Sequence, residues 1–126
     1  MAYAVLEGVV FSLYHIGCGL PLKPGVPMVT GGGSAGNPLM AKLKAALFDR
    51  PVLHAAENDA SAMGAAMIAM VGAGEFPSLS AARSLVTYAP VAQPDKALNT
   101  RLQKRFALYA NLYGALKPSF QELKEI

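Results

Sequence analysis

The segment VTGGGSAGNPLMAKLKAALF (29–48) carries the clearest chemistry of this sequence, because glycine lets backbone N–H groups come close to a ligand. Gly31, Gly33 and Gly36 fit the G-x-G-x-x-G spacing of a dinucleotide-binding turn between a strand and a helix. Other nucleotide-binding folds also place glycines between a strand and a helix. The spacing alone therefore does not identify the ligand.

Two of the common phosphate-binding loops fit this segment poorly. A Walker A loop requires Lys and then Ser or Thr directly after its last glycine, but Asn37 and Pro38 follow Gly36. A dinucleotide-binding turn requires an acidic residue at the end of the next strand, but Asp49 precedes that strand and Glu57 follows it. A plain strand-to-helix turn without a ligand remains an alternative.

The other reactive residue types indicate structural roles. His15 and His54 have no nucleophile elbow near them, and we interpret His54 as a packed or capping residue. Cys18 is the only cysteine, so no internal disulfide is expected, and no metal-ligand spacing is present. Three aspartates stand beside turns or helix starts, where carboxylates cap backbone N–H groups: Asp49, Asp59 and Asp95. We predict no catalytic residue and no metal site in this chain.

The composition is apolar and poor in charge. Hydrophobic residues make up 53% of the 126 residues and charged residues 15%, with a mean hydropathy of +0.33. Either the core is unusually rich in apolar side chains or one face of the domain is covered by a partner. The apolar run 2–20 is interrupted by Glu7 and His15, and the run 60–73 is too short to span a bilayer. With no secretory signal at its start, the chain is expected to be cytoplasmic, without membrane contact.

A cluster of positive charge precedes the C-terminal end, in a chain whose net charge is +3. Its members are Lys96, Arg101, Lys104 and Arg105. Apolar residues recur at helical spacing on the opposite face of the same segment. We interpret the cluster as the solvated face of an amphipathic helix and not as a nucleic-acid site.

The pattern along the chain predicts a βαβ unit preceded by a helix. Residues 3–13 predict a largely buried helix, and 26–30 and 50–55 predict short strands. Between the strands, Asn37 predicts the cap of a helix that begins at Pro38. The two strands are therefore expected to be parallel.

The second half of the chain predicts helices and a linker. Met63, Met67 and Met70 line one side of a helix, where we interpret them as core residues, and Ser78 is expected to cap a short helix. The segment 88–96 is interpreted as a linker before a long amphipathic helix, 96–116. Two strands make a poor sheet by themselves, so the chain is predicted to be a piece of a larger α/β domain.

Three stretches, in this order and spacing, resemble the C-terminal part of the FGGY carbohydrate kinases. They are AVLEGVVFSL (4–13), VTGGGSAGNPLMAKLKAALFDRPV (29–52) and DASAMGAAMIAMVGAGEFPSLSAA (59–82). The tail, from YAPVAQPD (88–95) through RLQKRFALYANLYGAL (101–116), is similar to the closing helix of that family. The resemblance covers almost the whole chain.

This resemblance implies an α/β fold: a partial ribonuclease-H-like domain of the actin and hexokinase type, with a short parallel βαβ core and several helices. It implies that residues 1–126 form a single C-terminal nucleotide-binding segment, without the N-terminal sugar-binding lobe. The glycine bend would then be the adenosine motif. Its site residues would be Gly31, Gly32, Gly33 and Asn37, facing ATP or ADP.

In a full-length member of the family, the implied activity is transfer of the ATP γ-phosphate to a sugar or polyol hydroxyl, with Mg²⁺. The general-base aspartate belongs upstream of the matched region, and the Arg-Asp pair often found in the family is replaced here by Tyr14 and His15. The chain alone is therefore expected to be inactive. Two alternatives are a non-catalytic module whose apolar surface is covered by another copy or a partner lobe, and a minimal dinucleotide-binding domain.

Overall fold

The computed structural model describes residues 2–23, 25–32, 36–56 and 59–124. Within these ranges the elements are α1 (Ala2–Cys18), β1 (Met28–Thr30), α2 (Pro38–Phe48), β2 (Val52–Ala55), α3 (Ala60–Gly72), α4 (Leu79–Ala82), a 3₁₀ turn (Arg83–Leu85), β3 (Tyr88–Ala92) and α5 (Lys96–Glu122).

The strands that the structure describes form one mixed sheet in the order β1-β2-β3. β1 lies parallel to β2, with Met28 opposite Val52 and Thr30 opposite His54, which confirms the predicted parallel βαβ unit. β3 lies antiparallel to β2, with Pro90 opposite Leu53. The prediction of a linker over 88–96 is therefore wrong for its first five residues. Proline had suggested a linker, but an edge strand tolerates proline because its outer N–H groups need no partner.

α2 forms the centre of the core. Leu43, Ala46 and Leu47 are buried on the side that meets α1 and α5, whereas Ala41 and Ala45 pack on the sheet. The main cluster consists of Val10, Phe11, Met40, Leu43, Ala46, Leu47, Leu98 and Leu102. The sheet thus has one face covered by α2, and α1 and α5 cover α2 in turn.

Side-chain hydrogen bonds attach α5 to the end of α2, whose last carbonyl groups have no partner within the helix. The Asn99 amide donates to the Ala46 carbonyl over 2.7 Å, and the Gln103 amide donates to the Leu47 carbonyl over 3.3 Å and to the Tyr14 hydroxyl over 2.9 Å. These bonds fix the start of α5 over the core. The second half of α5 extends beyond it, with Leu112 and Leu116 exposed.

Two expectations about burial are wrong. α1 extends to Cys18 and buries only one face, leaving Val5 and Ile16 more than 60% exposed, because α2 and α5 cover a single side of it. α3 has no buried residue among those described, so its methionine stripe is not core in this chain. Both helices carry apolar surface that the described residues leave uncovered.

Replacing Asp49 with glycine is expected to raise the free energy of unfolding by about 0.5 kcal/mol. Asp49 ends α2 in the left-handed conformation, with φ at 52°, a region that glycine adopts without a steric cost. The substitution also removes the ion pair between Asp49 Oδ2 and Lys96 Nζ, which are 2.7 Å apart. Both side chains are exposed, so this ion pair contributes little to the free energy of unfolding. Chemical denaturation measures the change. Lys96→Gln is the control, since it removes the ion pair alone; an Asp49→Gly chain less stable than this control would contradict the prediction.

Candidate functional site

The candidate site lies at the carboxyl ends of β1 and β2. Because the two strands are parallel, these ends meet at one edge of the sheet, which is where ligands of open α/β sheets bind. α2 and α3 both begin at this edge, after the glycine turn and after Asp59 respectively. Two helix N-termini, each with its positive dipole end, therefore flank one turn.

The glycines of the turn that the structure describes, Gly31, Gly32 and Gly36, are exposed to solvent. Gly32 has φ at +83°, a conformation that side chains with a Cβ rarely adopt, so glycine is required there. A Cβ at Gly31 would lie 3.4 Å from the Ala60 Cβ, so a side chain there would fill the space between the turn and the start of α3. Gly33, the third glycine of the predicted site, lies outside the described residues.

Asn37 has a structural role that limits what it can offer a ligand. Its Oδ1 accepts hydrogen bonds from the backbone N–H groups of Leu39, at 3.0 Å, and Met40, at 3.1 Å, which confirms the predicted cap. Since the oxygen is engaged by α2, the amide NH₂ is the group left to contact a ligand. Asn37 can therefore donate a hydrogen bond to an acceptor on the ligand while it holds the helix start in place.

His54 holds the end of β1 in place. Its Nδ1 lies 3.2 Å from the carbonyl oxygen of Thr30, the residue that precedes the glycines. A carbonyl oxygen can only accept, so Nδ1 carries the proton in this bond. The structural interpretation of His54 is confirmed. Its link to the turn was missed, because it depends on the register that places His54 opposite Thr30.

The turn offers backbone and amide groups but no cationic side chain of its own. No lysine or arginine occurs between Lys23 and Lys42, so the segment that forms the turn carries no cation for phosphate groups. The described residues contain no group of three or more His, Cys, Asp and Glu side chains that could hold a metal ion. The glycine backbone and the donor amide can contact an uncharged group, the two helix ends favour an anion, and further neutralisation of phosphates would require cations from other residues.

A buried cation near the turn was not foreseen from the sequence. Lys44 is only 7% exposed and lines a pocket of about 450 Å³ whose lining also includes Thr30 and Gly31. Desolvation by burial lowers the pKa of Lys44 below the ordinary value of 10.5. The signal available in the sequence was its position one residue after Leu43, on the buried side of α2.

Comparison with known proteins identifies the class to which this fold belongs. Residues 1–73 match the model of the FGGY family of carbohydrate kinases, C-terminal domain. The chain belongs to this family, as the three stretches predicted. Within the described residues, no helix is long and apolar enough to cross a membrane.

One curated relative is the xylulose kinase of Bacillus subtilis (strain 168), with 35% identity over 126 aligned residues that cover 96% of this chain and 25% of that protein. A ligand-bound xylulose kinase and a gluconate kinase, both from Lactobacillus acidophilus, superpose with TM-scores of 0.83 and 0.82 at 25% identity; each match covers 95% of this chain and 25% of theirs. The α/β, partial ribonuclease-H-like fold is thus confirmed. The chain spans about a quarter of the length of these relatives.

Proposed function

We propose that residues 1–126 form the nucleotide-binding C-terminal segment of an ATP-dependent carbohydrate kinase. The site consists of Gly31, Gly32, Gly33 and Asn37, and it holds the adenosine part of ATP or ADP. The observation that carries the proposal is the Asn37 cap next to the positive-φ turn at Gly32, at the carboxyl ends of two parallel strands in an FGGY domain.

In the whole kinase, ATP supplies the γ-phosphate that passes to a carbohydrate hydroxyl, and Mg²⁺ would neutralise charge on the phosphates. The residues of this chain orient the adenosine. His54 fixes the Thr30 carbonyl before the glycines, and Asn37 fixes the start of α2. Phosphoryl transfer depends on positioning both substrates together, so this chain alone is inactive. The relatives named as xylulose and gluconate kinases favour a sugar or a sugar-derived acceptor. We propose the cytoplasm as the compartment, as expected from the sequence.

The first test is a calorimetric titration of the chain with ADP in magnesium buffer, using two variants of Asn37. Asn37→Ser keeps a capping oxygen but removes the donor amide. The loss of one hydrogen bond is expected to weaken ADP binding by about fivefold at unchanged stability. Asn37→Ala also loses the cap and is expected to lower the free energy of unfolding by about 1 kcal/mol.

Three results would contradict the proposal. Equal ADP affinity of the parent and Asn37→Ser chains would remove Asn37 from the site. No ADP binding at all would mean that the segment has no adenosine site of its own. Tighter binding of NAD, titrated in parallel, would instead support a dinucleotide-binding domain.

A second candidate function is that of a non-catalytic module covered by another copy or by a partner lobe. The observation that favours it is the uncovered apolar surface of α1, α3 and the end of α5. Its most exposed members are Val5, Ile16, Ile68, Leu108, Tyr113 and Leu123. A monomer in sedimentation velocity that binds no hydrophobic dye would argue against this candidate.

A further inference from the structure

A pocket of about 480 Å³ lies between the first turn of α1 and the first half of α5. Leu98 and Leu102 line it and are 6% and 1% exposed, so apolar side chains of the core form part of its wall. Tyr3 lines it from α1 and is 41% exposed. The volume falls in the range of sites that bind small molecules.

Three cations complete the described lining of this pocket: Arg101, Lys104 and Arg105. They lie within about one turn of α5, so their side chains are neighbours on the helix. Arg105 Nη1 donates to Glu7 Oε1 over 2.8 Å, which holds one guanidinium in place. Arg101 and Lys104 form no ion pair with the part of the chain that the structure describes. Three positive charges thus have one carboxylate among them, and a surplus of two remains at the pocket.

This surplus of positive charge has a cost that an anion in the pocket removes. Like charges three or four residues apart on a helix destabilise it, and apolar walls screen them less than open water does. A phosphate monoester carries a charge of about −1.5 to −2 at neutral pH and offers three acceptor oxygens. It therefore matches both the surplus charge and the N–H donors of a guanidinium, whereas a carboxylate supplies a single negative charge.

We propose that this pocket binds a phosphate monoester whose organic group is apolar or aromatic. The phosphate contacts the three cations, and the organic group contacts Leu98, Leu102 and the ring of Tyr3. Apart from the cations, the Tyr3 hydroxyl is the one polar side-chain group among the described lining residues, so the lining does not match a ligand with many hydroxyl groups. None of these lining residues belongs to the glycine turn, and the inference does not depend on nucleotide binding there.

The test is a titration of the isotope-labelled chain with phenyl phosphate, followed by NMR. Phenyl phosphate is expected to bind saturably and to shift the amide signals of Tyr3, Leu98 and Arg101. Phenyl sulfate has the same ring with a single negative charge and is expected to bind about tenfold more weakly. Inorganic phosphate lacks the ring that the apolar wall would cover, and it is also expected to bind about tenfold more weakly.

Variants identify the residues that bind the probe. Arg101→Met removes one cation of the pocket and is expected to weaken the binding of phenyl phosphate about tenfold. Lys117→Met is the matched control, because Lys117 is an exposed lysine of α5 outside the described lining, and it retains the parent affinity. Asn37→Ser alters the proposed nucleotide site and is expected to leave the binding of phenyl phosphate unchanged, so failure of one proposal is distinguishable from failure of the other.

Several results would overturn the assignment of this pocket. They are the absence of saturable binding, equal affinities for phenyl phosphate and phenyl sulfate, an equal loss of affinity in Arg101→Met and Lys117→Met, and shifts confined to the amides of Gly31 and Gly32. A peptide of four glutamates, titrated in parallel, distinguishes a small anion from an acidic segment of a protein. Tighter binding of this peptide than of phenyl phosphate would assign the pocket to a protein partner and would also overturn the proposal.

Discussion

Replacing Arg105 with methionine is expected to lower the free energy of unfolding by about 2 kcal/mol. Arg105 Nη1 donates to Glu7 Oε1 over 2.8 Å, and the Glu7 side chain is only 9% exposed. Without the guanidinium, a buried carboxylate on α1 has no counter-charge. Arg105 itself is 57% exposed, so solvent screens the pair and the expected loss is below that of a fully buried one.

Urea denaturation of four chains tests this expectation. Arg101→Met is the matched control, since Arg101 is an exposed arginine one turn earlier on α5, and its loss is expected to change stability by less than about 0.5 kcal/mol. Glu7→Leu in the Arg105→Met background removes the orphaned charge and is expected to restore most of the lost stability. An Arg105→Met chain as stable as the Arg101→Met control would show that Glu7 needs no partner.

The ion pair illustrates what the sequence could not predict. Glu7 is the only charge among the apolar residues at the start of α1, but its partner is 98 residues away. Nothing local indicates that such a carboxylate is buried. β3 was missed for the same reason, since Tyr88–Ala92 becomes a strand only because β2 offers an edge to pair with.

Local features, by contrast, were predictable. Asn37, Asp59, Ser78 and Asp95 cap helices by hydrogen bonds to N–H groups two or three residues ahead. The capping side chain and the N–H group that it binds are only two or three residues apart, so the residue type decides whether the cap forms. Asp49 differs, because it ends α2 and its carboxylate meets Lys96.

The residues of the candidate site likewise fall into two groups, those predictable from local sequence and those determined by the tertiary structure. The Asn37 cap is predictable from residue type, because a helix start needs a cap, whereas Gly32 entered the predicted site through the family resemblance. The contact of His54 with Thr30 depends on strand register, and the burial of Lys44 depends on how α1 packs beside β1. These two residues are determined by the fold as a whole.

Replacing Lys44 with methionine is expected to raise the free energy of unfolding of the free chain by up to about 1 kcal/mol, since its ammonium group is partly desolvated and partly screened by solvent. Methionine has a similar length and no charge, and it fits irregular apolar space. The Lys44 residue is only 7% exposed, and the lowered pKa indicates that its ammonium group is partly desolvated in the parent chain. Truncation of a buried leucine in the core would, by contrast, lower the free energy of unfolding.

The dependence of this gain on pH follows from the lowered pKa of Lys44. The folded chain holds the proton less tightly than the unfolded chain, so the parent becomes more stable as pH rises from the lowered value toward 10.5. Below that window the cost of the charge is fully present, and above it the cost disappears. The advantage of Lys44→Met is therefore expected to be greatest at neutral pH and to shrink in alkaline solution. Denaturation at several pH values, with Lys42→Met as the control, measures it; a constant advantage, or a loss of stability, would mean that the ammonium is solvated or paired.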